Sequence, residues 1–191
     1  LLSMDFGVCP TMFDYCLAMA LLYFKEQKCD VVILETGLGG TYDSTNACGV
    51  PDVTVIAKIG FDHMAILGDT LAQIAAETAG IIKHGTALVL ESQEKEAMDV
   101  LNKAAERADI KTIKVVNLDE IRILPQKDGK QCFSYAGYDA VTMKMLGVHQ
   151  YENAVAAMLA AELFFEKYFA GKKNVPERKA LQHAIREGID R

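Results

Sequence analysis

No basic excess marks this chain: 20 lysines and arginines stand against 26 aspartates and glutamates, a formal net charge of −6. Without a cationic stripe, nucleic acid is a poor partner. No Cys-x-x-Cys pair occurs either. The five cysteines, Cys9, Cys16, Cys29, Cys48 and Cys132, are odd in number and share no ligand spacing with the four histidines. That argues against a disulfide framework and a zinc site. Reduced thiols follow, with Cys16 and Cys29 expected in the core. Long apolar runs are missing too, since the longest, residues 16–24, is too short to span a bilayer. The start, Leu1-Leu-Ser-Met-Asp5, carries no basic region or leader-cleavage pattern. Repeats and low-complexity tracts are absent. These exclusions leave a cytoplasmic chain with neither membrane nor nucleic acid as partner. Its 191 residues, 51% hydrophobic and 24% charged, suit one domain with a sizeable core.

What is present reads as an α/β domain. A helix over 11–27, with a wide apolar face, leads into the apolar run 31–34, which reads as a buried parallel strand. Strand 53–59, helix 70–83, strand 86–90, helix 93–108 and strand 112–116 follow. This alternation is the doubly wound parallel pattern, with helices on both faces of a mostly parallel sheet. Thr70 reads as the N-cap of its helix, with Leu71, Ile74 and Ala75 facing inward. From about residue 121 the style changes. Residues 121–124 and 131–135 alternate around Asp128-Gly129, a hairpin signal, and 140–146 adds a third short strand. A small antiparallel sub-sheet over about 121–146 is therefore expected. Helices over 152–169 and 176–187 close the chain, with Pro176 in the first turn of the last one and a solvated loop over 170–174.

The richest segment is Glu35-Thr-Gly-Leu-Gly-Gly-Thr-Tyr-Asp-Ser-Thr-Asn46. A carboxylate at a strand end, followed by a glycine loop, is where α/β enzymes place metal and nucleotide chemistry. Gly37, Gly39 and Gly40 let the backbone turn and approach a ligand. The Glu35 carboxylate suits Mg²⁺, although a surface acid is the plain alternative. A second strand end carries Gly60-Phe-Asp-His63. There His63 is either a ligand or a loop histidine bonded to Asp62.

Four segments together resemble the central domain of the folylpolyglutamate synthase/dihydrofolate synthase family, a branch of the Mur ligase superfamily. They are Pro10-Thr-Met-Phe-Asp14, residues 35–46, residues 59–83, and Gly147-Val-His-Gln-Tyr-Glu-Asn153. The resemblance implies an ATP-dependent amide ligase. ATP phosphorylates a folate or dihydropteroate carboxylate, and the amine of L-glutamate attacks the acyl phosphate. It further implies that Glu35 and His63 bind Mg²⁺, and that Asn153 reads the adenine of ATP. Thr11, Met12, Phe13 and Asp14, with Tyr42, Asp43 and Ser44, are implied as the pteroate site. Each has a plainer alternative. Thr11 and Asp14 fit a capping box before a core phenylalanine. Residues 42–44 fit a polar turn. Asn153 fits a helix cap.

Three departures from the family pattern stand out. No stretch matches the phosphate loop G-x-x-x-x-G-K-[ST]. The chain stops at Arg191, where the family continues into an arginine-bearing segment and a C-terminal domain. Residues 1–191 are therefore expected to be an incomplete central domain. Lastly, Glu77-Thr78-Ala-Gly-Ile-Ile-Lys83 has threonine where the family carries a lysine that is carbamylated. Threonine cannot form that carbamate, so impaired catalysis is expected, and Lys83 lies on the wrong helix face to replace it. A truncated relative that keeps only a pteroate-binding groove is the alternative function. A cell-wall precursor ligase fits the Thr11 to Asp14 and His149-Gln150 segments poorly.

Overall fold

A computed structural model describes residues 9–173 and 175–191, so the reading of the start, Leu1 to Asp5, lies outside the described residues. Two three-stranded sheets organise the chain. The first is parallel, in the order β1 (Val53–Ile56), β2 (Ala87–Leu90), β3 (Ile113–Val115). The second is antiparallel, in the order β4 (Arg122–Lys127), β5 (Lys130–Tyr135), β6 (Tyr138–Met143). The helices are α1 (Met12–Glu26), a single turn α2 (Met64–Leu67), α3 (Leu71–Thr78), α4 (Lys95–Arg107), α5 (His149–Phe169) and α6 (Arg178–Asp190).

Side-chain alternation along β2 places one core on each face of the parallel sheet. Leu88 and Leu90 are fully buried with Ile56, Ile74, Ala75 and Leu101, under α3 and α4. Val89, between them, faces the other way. It joins Phe133, Val141, Tyr151 and Val155, where α5 and the antiparallel sheet close over it. Phe133 and Tyr151 meet edge to face, with ring centroids 5.6 Å apart, a favoured aromatic geometry. Crossovers of strand, helix and parallel strand thus set the layers, as the alternation predicts.

Local chemistry explains the boundaries. Thr70 caps α3 in a reciprocal box with Gln73. The β4–β5 hairpin turns at Asp128 and Gly129, with φ of 52° and 74°, the paired positive values of a type I′ turn. Ala136 (44°) and Gly137 (87°) repeat the device between β5 and β6. That second turn shifts the third strand upstream, to 138–143 instead of 140–146. The last helix starts at Arg178, with Glu177 at the N-cap position and no side-chain cap bond, so Pro176 precedes the cap position and does not sit in the first turn. The 152–169 helix begins three residues early, at His149.

The N-terminal segment departs further. Residues 31–34 form no strand. A strand exists by its ladder, and no described segment pairs with this run. Val31 and Ile33 are 50% and 91% exposed. Helix α1 has no buried residue. Cys16 and Cys29 are accordingly exposed and not in the core; Cys132, in β5, is the buried thiol. Among the described residues no helix is long and apolar enough to cross a membrane.

Candidate active site

Three of the sequence-predicted residues, Tyr42, Asp43 and Ser44, line a cleft of about 260 Å³. It is lined by Leu38, Tyr42, Asp43 and Ser44 on one side and by Ile66, Leu67 and Glu77 on the other. The glycine loop forms the first wall because it is fastened to the end of α3. Thr41 donates its N–H and its hydroxyl to the carbonyl of Glu77, at 2.9 and 3.1 Å. Asn46 Nδ2 donates to the carbonyls of Gly40, Thr41 and Gly80. A Cβ on Gly40 would stand 2.6 Å from the carbonyl oxygen of Thr78, and one on Gly80 would strike the backbone of Thr41. Only glycine permits this approach.

Asp43 holds the loop from inside. Its Oδ2 accepts from the N–H of Gly37 and Leu38, at 2.7 and 3.1 Å. Its Oδ1 accepts from the N–H and hydroxyl of Thr45, at 2.9 and 2.5 Å. Four donors fill the lone-pair sites of a carboxylate. Burial alone would raise its pKa, but these donors outweigh burial and hold it below the usual aspartate value. Asp14 is similarly engaged. It closes the α1 capping box with Thr11 and accepts the hydroxyl of Ser44. The Ser44 bond first, then those from Thr11, lower its pKa. The cap reading of Thr11 and Asp14 holds, and the Ser44 bond also ties α1 to the 3-10 turn Ser44–Cys48. The Phe13 ring lies against Gly37, where a Cβ would be 3.0 Å from its edge. Met12 and Tyr42 are largely exposed.

Glu35 follows the exposed run 31–34, not a buried strand. Its carboxylate is exposed and makes no hydrogen bond among the described residues. His63 is left-handed, with φ of 49°, and its ring lies 3.8 Å from the Asp62 carboxylate. That carboxylate accepts the His63 backbone N–H at 2.7 Å. No group of three or more metal-ligating side chains forms among the described residues. The chemistry nevertheless suits Mg²⁺. That ion binds through one or two carboxylates, water and substrate phosphates more often than in an all-protein cage, and Glu35 supplies a free hard oxygen.

Asn153 sits one turn inside α5, so it does not cap the helix; Val148 occupies the cap position. Its amide donates to Gln150 Oε1 at 3.1 Å, and Gln150 in turn meets the His149 ring. The exposed amide remains available to a planar partner. Thr78 gives its hydroxyl to the carbonyl of Ile74, at 3.0 Å. Lys83 is spent on the carbonyls of Asn46 and Gly49, so it braces the loop.

Sequence reasoning missed Glu77 and the turn Glu91-Ser92-Gln93. Glu91 follows β2 directly, the same strand-end rule that singles out Glu35. It is only 3% exposed. Burial first, and then the Glu152 charge, push its pKa up, against the Lys58 N–H that lowers it.

With this geometry in hand, comparison with known proteins is informative. Residues 10–161 match the Mur ligase middle domain. The chain is 41% identical over 190 residues to a dihydrofolate synthase/folylpolyglutamate synthase of Bacillus subtilis, covering 94% of this chain and 41% of that protein. It thus spans about two fifths of that relative. Among solved structures, a Mycobacterium tuberculosis folylpolyglutamate synthase complexed with ADP superposes with TM-score 0.76 at 30% identity, covering 94% of this chain and 39% of that one. An FPGS–AMPPCP–folate complex gives 0.83 at 24% identity, over 95% and 43%, a likeness of fold. The chain belongs to the Mur ligase middle-domain family.

Proposed function

We propose that this chain is the central domain of an ATP-dependent ligase that joins L-glutamate to folate or dihydropteroate through an acyl phosphate, acting in the cytoplasm. The observation that carries the reading is the cleft between the glycine loop and α2–α3. There the 42–44 segment meets the end of the 59–83 segment, with Phe13 and Asp14 tied in alongside. A dihydrofolate synthase/folylpolyglutamate synthase at 41% identity and a folylpolyglutamate synthase solved with ADP at 30% support the substrate classes.

In this reading Phe13 and Tyr42 offer aromatic faces to a pterin ring. Thr11, Met12 and Ser44 border it. Asp14 and Asp43 act mainly by holding the walls, since their oxygens are engaged. Asn153 reads the adenine edge with its carboxamide. Glu35 and His63 hold Mg²⁺, which supplies charge neutralisation for the triphosphate when bound.

The test is glutamate-dependent ADP release by the whole ligase carrying this domain, with folate and with dihydropteroate as acceptors. Glu35→Gln is expected to lower the rate by roughly two orders of magnitude, the scale of losing one electrostatic partner. No release with either acceptor would overturn the assignment. Thr78 favours a second reading, a relative that keeps the pteroate groove but turns over slowly, because its hydroxyl is committed to Ile74. A sharp rate gain in Thr78→Lys supports that second reading, and no gain sinks it.

A further inference from the structure

The β1–β2 ladder ends at the pair Ile56 and Leu90, yet the chain beyond β1 stays fixed for three more residues. Side chains replace the ladder there. Gln93 Nε2 donates to the carbonyl of Ala57 at 3.0 Å. Glu91 Oε2 accepts the N–H of Lys58 at 2.7 Å. Gln93 Oε1 accepts the N–H of Ile59 at 2.9 Å. Four residues after Ile59 comes His63. The same turn also reaches α5, because Ser92 donates its N–H to Glu152 Oε1 at 2.5 Å, next to Asn153.

A tripeptide outside the cleft therefore holds two backbones that the proposed function assigns to different parts of one ligand. Two carboxylates, Glu91 in the turn and Glu152 on α5, and the Gln93 carboxamide are a costly choice for positions withdrawn from water if only packing is needed. Each instead bonds a backbone group, and no buried side-chain polar atom among the described residues is left unpaired. We propose that Glu91-Ser92-Gln93, with Glu152, is a positioning element that keeps the His63 loop and the first turns of α5 in one frame, so that a divalent cation and the nucleotide bind as a unit. This rests on the reading of His63 as a metal ligand. Partners that orient ligating groups from behind act in this way.

The experiment uses the whole ligase and reads binding, not turnover. Mn²⁺ affinity in the presence of AMPPCP is measured by EPR for wild type, Gln93→Leu, Gln93→Glu, Glu91→Gln and His63→Ala, with thermal melting alongside. Gln93→Leu is expected to weaken Mn²⁺ by about tenfold, the lower end for such outer partners. Gln93→Glu keeps the acceptor for Ile59 and loses less. It also serves if the leucine variant does not fold. Glu91→Gln retains an acceptor for Lys58 and is expected to lose less than Gln93→Leu. Gln93 variants that melt earlier but bind Mn²⁺ as wild type does would overturn the positioning role. If His63→Ala binds Mn²⁺ normally, the metal-ligand reading itself fails, whatever the Gln93 variants do.

Discussion

Helix α1 with residues 31–34 is more apolar in sequence than helix α5 with β5, yet the two fare oppositely in the fold. In α5, Tyr151, Ala154, Val155, Ala156, Met158 and Leu163 are buried. In α1 none is, and Met12, Met19, Leu22 and Tyr23 are each more than half exposed. Composition is thus a demand for burial and not its guarantee. α5 lies on β1 and β2 and carries α6, whereas α1 is held mainly by the Asp14–Ser44 bond and the Phe13–Gly37 contact. One region is stabilised by packing and the other by a few polar ties at its tip.

The sharpest way to break this contrast is a matched pair of truncations. Phe133→Ala empties a site that is 0% exposed and is expected to cost about 3–5 kcal/mol in denaturant unfolding. Phe13→Ala, at a 40% exposed ring, is expected to cost under about 1 kcal/mol and to show mainly as weaker pteroate binding by the whole ligase. Equal stability losses would dissolve the comparison. Asn46→Ala probes the polar ties themselves. It deletes the donor to three carbonyls and is expected to cost about 1–3 kcal/mol, with faster amide exchange over residues 37–46. Met19→Ser, at a 55% exposed position, is expected to fall within about 0.5 kcal/mol of wild type by the same unfolding measurement.

Acid separates the regions by sign. Asp14 and Asp43 are held below their ordinary value of 3.8. The folded state therefore binds fewer protons, and their stabilisation, present above that value, is lost as pH falls through the lowered pKa. Glu91 is raised above its ordinary 4.5. Its contribution is fully present below 4.5 and lost as pH rises through the folded pKa. Glu91→Gln should accordingly raise stability at neutral pH relative to wild type, with the gain vanishing below about pH 4. A gain that persists unchanged in acid would assign it to packing and not to charge.

Much of the fold was legible because its signals are local. Thr11 with Asp14, the Thr70 cap, and Asp128-Gly129 each act within a few residues, and each forms as read. The parallel alternation was legible because strands and helices differ in apolar period. Residues 31–34 misled because a buried strand and an unpaired apolar run read alike in sequence. Cys16 and Cys29 were misplaced for the same reason, as burial depends on what covers a face. At the cleft, motif residues such as Tyr42 and Ser44 were legible. The roles of Asp43 and Gln93 were not, since their backbone partners are fixed only once the loop has closed or a segment 34 to 36 residues away has arrived.

The seam between Gly40 and Gly80 has a consequence for heredity. Every missense change in a glycine codon adds at least a methyl group, and at this seam the space on each side is already occupied by the backbone of the other segment. Compensation by one neighbouring side chain is impossible, because the obstruction is main chain. The two positions should therefore behave as a locked pair under random mutagenesis. Libraries selected for folded protein would keep both glycines, while tolerating replacements at Gly60 and Gly188, where an added Cβ meets open space.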